Sequence, residues 1–109
     1  MATTILNSPQ ASPGAGTPGT IYTVGTGKAL VVSCMTICNR QGVTTSFRVW
    51  REPGGVAADA NYWYYDTPLR ANSTFAFVLP KTAVATDVIK VQSANGLCSF
   101  ELSGSLEDA

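Results

Sequence analysis

The chain has 109 residues, 45% of them hydrophobic and only 13% charged, with seven basic side chains balancing seven acidic ones and no histidine. That length suits one domain around one core, with roughly two-thirds of the unfolded chain's surface buried on folding and no need of a metal or disulfides. With no net charge there is no long-range field to recruit nucleic acid or an anionic membrane, and a weakly charged surface tolerates contact between copies.

The opening, Met1 to Pro9, lacks the basic and apolar regions of an export signal, and no stretch approaches the roughly 20 apolar residues of a membrane span. The expectation is a protein made and kept in a cytoplasm, with Cys34, Cys38 and Cys98 reduced, and an odd cysteine count also argues against a disulfide framework. Residues 1–20 mix Pro9, Pro13, Pro18, Gly14, Gly16 and Gly19 with Ser, Thr and Ala, a composition that favours extended backbone. They read as an arm whose 19 or so residues, at roughly 3.3 Å each, span about 60 Å against a domain radius of gyration near 13 Å. Such an arm reaches a neighbouring subunit, with Ile5 and Leu6 as its docking residues; the alternative is a terminus that docks on nothing.

Residues 21–109 read as strand and turn throughout. Ile21-Tyr22-Thr23-Val24 is a short β-rich run, and Gly25-Thr26-Gly27 turns it into a long run from Lys28 to Cys38. Strict alternation sets Leu30, Val32, Cys34, Thr36 and Cys38 on one face and Ala29, Val31, Ser33, Met35 and Ile37 on the other, both largely apolar, as in a central strand. Asn39-Arg40-Gln41-Gly42 turns the chain into Thr44 to Glu52, where Phe47 and Val49 alternate with Arg48, Trp50 and Glu52. Pro53-Gly54-Gly55 opens a loop of small residues through Ala60. An aromatic strand follows, Tyr62-Trp63-Tyr64-Tyr65, with Pro68 restricting further pairing.

Ser73 to Leu79 sets Phe75, Phe77 and Leu79 on one face until Pro80-Lys81-Thr82 breaks the strand. Asp87 to Gln92 offers Ile89 and Val91. Asn95-Gly96 then predicts a β-hairpin with the alternating run Cys98, Phe100, Leu102. No window holds a helical apolar period over three turns. The expected fold is all-β, an antiparallel sandwich or jelly roll of about seven to eight strands, with an N-terminal arm.

The inventory of chemistry is short. Without histidine the commonest general base, the Ser-His and Cys-His nucleophile pairs and the usual zinc ligand are gone. The acids Asp59, Asp66, Asp87, Asp108, Glu52, Glu101 and Glu107 lie at expected turns or exposed positions and suggest no catalytic pair. Cys34 and Cys38, four apart on a strand, sit roughly 13 Å from each other and cannot share a metal, so the cysteines read as small buried hydrophobes. Gly25-Thr26-Gly27-Lys28 lacks the glycine spacing and the following helix of a phosphate loop, and the sequon Asn72-Ser73-Thr74 carries nothing in a chain that is not exported. No catalytic residue, cofactor or metal is expected. The aromatic run places Tyr62 and Tyr64 on one face and Trp63 and Tyr65 on the other. One pair reads as core, and the other, with Arg48, Trp50 and Arg51, as an interface or a sugar-stacking platform.

The succession Ile21-Tyr22-Thr23-Val24, Gly27-Lys28, Ile37-Cys38-Asn39-Arg40, Phe47-Arg48-Val49, Tyr64-Tyr65-Asp66, Pro68-Leu69, Thr74-Phe75, Asp87-Val88-Ile89-Lys90-Val91 and Ser99-Phe100 resembles small β-sandwich virion proteins of tailed bacteriophages over about residues 20–104. The resemblance implies a structural part of a virion: a capsid decoration or cement protein bridging capsid subunits, or a neck, tail or fibre adaptor. It further implies a homo-oligomer, often a trimer, with the major capsid protein or other virion proteins as partners. A carbohydrate-binding module is the third expectation.

Overall fold

Runs rich in Val, Ile, Thr and aromatic residues, with no Gly or Pro inside most of them, favour pleated backbone that can be half buried. They form nine strands in the computed structural model, which describes residues 3–6, 9–56 and 61–108, and at residues 3, 77, 79 and 80 the backbone alone. These are β1 (Thr3–Ile5), β2 (Gln10–Ala11), β3 (Gly19–Thr23), β4 (Lys28–Asn39), β5 (Thr45–Glu52), β6 (Tyr62–Leu69), β7 (Thr74–Val84), β8 (Val88–Ser93) and β9 (Cys98–Asp108), with one 3-10 turn at Pro53–Gly55. Among the described residues no helix is long and apolar enough to cross a membrane.

Two antiparallel sheets face each other. The first runs β1-β9-β4-β7 with β2 also on β9, and the second runs β3-β8-β5-β6. The pairing is nested: β1 and β2 with β9, β3 with β8, β4 with β7, β5 with β6. With β1 and β2 taken together as the first member, first pairs with last, second with last but one, and so inward, which is the jelly-roll arrangement of two Greek keys. The all-β sandwich expected from the sequence is therefore what forms.

Residues expected as an arm supply the first member of this nest. Thr3 lies opposite Glu107 and Ile5 opposite Ser105, then Gln10 opposite Glu101 and Ala11 opposite Phe100. Between the two short strands the Leu6 amide donates to the Gly104 carbonyl at 2.9 Å and the Leu102 amide to the Pro9 carbonyl at 3.0 Å. These bonds cover the edge of β9 that would otherwise lie open.

The core lies between the sheets. Leu30, Val32, Met35 and Ile37 of β4 meet Phe47 and Val49 of β5, Ile89 and Val91 of β8, and Phe100 and Leu102 of β9, all fully buried. Each such side chain contributes about 1.5–3 kcal/mol by leaving water. Phe47 is the centre, its ring 5.9 Å from Tyr64, 6.2 Å from Phe75 and 6.5 Å from Phe100.

The buried set corrects the expected faces of β4. Leu30 and Val32 share the core face with Met35 and Ile37, not with Cys34, because the register slips between Val32 and Cys34 against β9. The extra residue, Ser33, is a bulge that turns every later side chain over. Cys34, Thr36 and Cys38 consequently lie half-buried on the outer face, and of the three thiols only Cys98 is core. Opposite Ser33, Leu79 and Pro80 stand between the Val78 and Lys81 pairings, so β7 does not break at Pro80 but runs on to Val84. Proline is tolerated there because β7 is an edge strand and Pro80 stands in the irregularity, outside the paired register. The expected facing of Phe77 and Leu79 lies outside the described residues.

Asn95-Gly96 does not close a hairpin. β8 belongs to the second sheet and β9 to the first, so this turn carries the chain across the sandwich. The turn chemistry was read correctly, with Gly96 at φ +70°. What the reading lacked is that a jelly roll moves from sheet to sheet at nearly every connection. Here β5 and β6 are consecutive strands that share a sheet.

Two buried polar side chains, Asn39 and Asp87, tie the two ends of the sandwich. At one, Asn39 Nδ2 donates to the carbonyls of Val43 at 2.9 Å and Arg70 at 3.1 Å, and Oδ1 accepts from the Gln41 amide at 3.1 Å and Asn95 Nδ2 at 3.2 Å. At the other, Asp87 accepts from the amides of Val84 at 3.0 Å and Gly54 at 3.2 Å and from Arg51 at 3.3 Å.

Candidate functional site

The side chains with the richest chemistry gather on the outer face of the second sheet. β5 sends Arg48 and Trp50 outward, opposite Gln92 and Lys90 of β8. β6 answers from the sheet edge, but with two irregularities. Val49 pairs with Tyr64 and Trp50 with Tyr62, so Trp63 is an extra residue. Phe47 pairs with Thr67, so two residues, Tyr65 and Asp66, stand against Arg48. Asp66 has φ +48°, a left-handed conformation that Asp tolerates better than most residues.

These bulges re-sort the aromatic run. Tyr62 and Tyr65 come to the same outer face, their rings 4.8 Å apart edge to face, and Trp50 lies 5.2 Å from Tyr62. Trp63 and Tyr64 instead pack against the core. The expected split, Tyr62 with Tyr64 and Trp63 with Tyr65, is thus corrected by the same device that corrects β4.

Arg48 organises the cluster. Its guanidinium carbon sits 4.1 Å from the centre of the Tyr65 ring, a cation–π contact, while Nε and Nη2 hold the two carboxylate oxygens of Asp66 at 2.6 and 3.1 Å. The hydrogen bond from Arg48 holds the Asp66 carboxyl below the usual carboxylate range, and its reciprocal raises Arg48 further above its ordinary value. Beside the pair is a cavity of about 230 Å³ lined by Ser46, Phe47, Arg48, Asp66, Gln92 and the Gly16 and Ser93–Ala94 backbone region.

The candidate interface residues separate on this frame. Arg48 and Tyr65 are together, with Tyr65 57% exposed. Trp50 is on their face but only 4% exposed, covered by Tyr62 and with Nε1 donating to Glu52 at 3.0 Å. Arg51 lies on the inner side of β5 and reaches Asp87 at the sandwich end. Leu6 is 8% exposed within the core cluster, whereas its neighbour Ile5 is 85% exposed above a groove of about 380 Å³ shared with Pro9, Tyr22 and Leu106. Tyr62, Asp66, Ser46 and Gln92 were not anticipated. The bulges of β6 bring in Tyr62 and Asp66, and nothing in a period-two reading marks a bulge; Ser46 joins Arg48 by ordinary alternation on β5, and Gln92 by lying opposite it on β8. Among the described residues no group of three or more Cys, Asp or Glu side chains is placed to hold a metal.

No family model and no curated protein matches the sequence. Solved structures do match. That of infectious bursal disease virus, Gx strain, aligns at a TM-score of 0.51 and 12% identity over 96% of this chain and 30% of its own. The infectious bursal disease virus VP2 subviral particle aligns at 0.50 and 12% identity, over 96% and 31%. The likeness shows a shared jelly-roll fold. The chain spans about a third of the length of these viral-particle proteins. A pentameric capsid protein from metagenomic phage sequences matches over 97% of this chain and 61% of its own at 16% identity, but its TM-score of 0.39 carries no argument.

Proposed function

We propose that the chain is a non-enzymatic structural protein of a virion: a capsid decoration or cement protein that associates with copies of itself, as a trimer, and bridges subunits of the major capsid protein. The observation that carries this is the outer face of the first sheet. There β4 and β7 set Ala29, Cys34, Thr36, Ala76, Val78 and Val84 side by side, none of them charged, with Val78 78% and Val84 59% exposed. Exposed apolar side chains on a small-residue face mark a protein contact. The fold shared with viral-particle proteins supports the same reading by analogy of architecture. Nucleic acid and membrane have no part in it, and the protein would be made in the host cytoplasm and end in the particle.

Quantitative mass spectrometry of purified particles tests the proposal. A ratio to the major capsid protein between one to one and one to a few is expected for cement, whereas about six to eighteen copies would move the protein to a neck, tail or fibre. Its absence from particles would end the virion reading. Val78→Asp with Val84→Asp should abolish incorporation while leaving the isolated domain folded, since neither side chain belongs to the core.

A further inference from the structure

From the cavity beside Arg48 we infer a binding site for a neutral sugar ring on the outer face of the second sheet, an activity additional to assembly. Three observations converge on it. The cavity, about 230 Å³, is below the roughly 300–1,000 Å³ that take drug-sized ligands, and suits a molecule of one ring. Its rim offers both hydrogen-bonding polarities. Among the described residues the Ser46 hydroxyl and the Gln92 amide make no side-chain hydrogen bond, and Asp66 and Arg48 present a carboxylate and a guanidinium side by side. Adjacent hydroxyls of a sugar each donate and accept, so a pair of fixed donor and acceptor groups matches them.

The charge decides the class. Arg48 is neutralised by Asp66 at 2.6 Å, so the rim carries no net charge to attract a phosphate or carboxylate ligand. Beside the cavity, though not lining it, Tyr65 packs its ring against the Arg48 guanidinium at 4.1 Å and, with Tyr62 at 4.8 Å, holds that donor at the rim. The double bulge of β6 is what aims Tyr65 and Asp66 here, and bulges that re-aim side chains gather beside binding sites.

The test is an amide NMR titration of the full chain with the methyl glycosides of glucose, galactose, mannose and N-acetylglucosamine, and with glucose 6-phosphate as the anionic control. Saturable shifts confined to Ser46, Arg48, Tyr65, Asp66 and Gln92 are expected with at least one neutral glycoside. Asp66→Asn, which keeps a residue at ease with positive φ, and Gln92→Ala should each weaken binding about tenfold with the rest of the spectrum unchanged. No shifts with any glycoside, shifts elsewhere on the surface, or tighter binding of the phosphorylated control would each overturn the inference. Particle incorporation of Gln92→Ala is a separate reading. Normal incorporation with lost sugar binding supports the inference, whereas lost incorporation in a chain that never binds sugar makes this face an assembly contact and overturns it, leaving the virion proposal standing.

Discussion

Asn39 is the residue whose loss should be felt furthest from its own position. It is 1% exposed and its amide joins the turn after β4, the β6–β7 connection and the Asn95 turn. Asn39→Ala leaves buried carbonyls and an amide without partners, so a cost of about 2–3 kcal/mol is expected, read as a lower midpoint in urea unfolding. Ion pairing at Asp66 makes a different prediction. Its carboxyl is depressed by Arg48, so the pair's contribution is fully present above the unfolded carboxylate value and fades as pH falls through the folded one. Carbon NMR should place the Asp66 midpoint below that of an ordinary aspartate, and Arg48→Met should return it upward. Burial pushes the Cys98 thiol up, partly offset by a hydrogen bond with Ser93. Iodoacetamide should therefore modify Cys98 only after denaturation.

At the scale of elements, strands were legible and their faces were not. β3, β4, β5, β6 and β8 announce themselves through β-branched and aromatic runs, and Gly-rich or Asn-Gly segments mark the connections. Face assignment depends on counting by two, and one bulge in β4 and two in β6 defeat the count. A bulge is set by what the neighbouring strand permits, here at Gly104. A Cβ on Gly104 would meet the Val31 carbonyl oxygen at 2.2 Å, so only glycine lets β9 approach the distorted stretch of β4. Gly104→Ala should either unfold the domain or force the two strands apart, seen as loss of hydrogen-exchange protection along both. The first strand behaves likewise as part of the domain. Leu6→Ala should cost about 2 kcal/mol, at the low end for a buried leucine because the site lies at a sheet edge. Fully native stability in that variant would mean that residues 3–6 dock elsewhere.

For the whole molecule, the succession of short β-rich runs and turn signals, with no window holding a helical apolar period over three turns, carried the fold class. That pattern could not rank sandwich topologies, because the nested order is written in pairings of residues far apart in sequence. The site on the second sheet was half legible: Arg48 and Tyr65 were singled out together, but Trp63 was grouped with them because an ideal β6 was assumed, and Arg51 was grouped with them although alternation along β5 puts it on the other face. The oligomeric state is the decisive test at this scale. Native mass spectrometry of the isolated chain should show a trimer that Val78→Asp with Val84→Asp converts to monomer.

The nesting of pairs also imposes an order in time. Thr3 finds its partner in Glu107, roughly a hundred residues later, and β3 waits for β8 in the same way. On a ribosome the early strands therefore emerge with no sheet to join, and both sheets close only when β8 and β9 have appeared. Long closures of this kind make folding slow. A nascent chain arrested before residue 98 should be as open to protease as an unfolded one, and resistance should arrive in a single step once β9 is free.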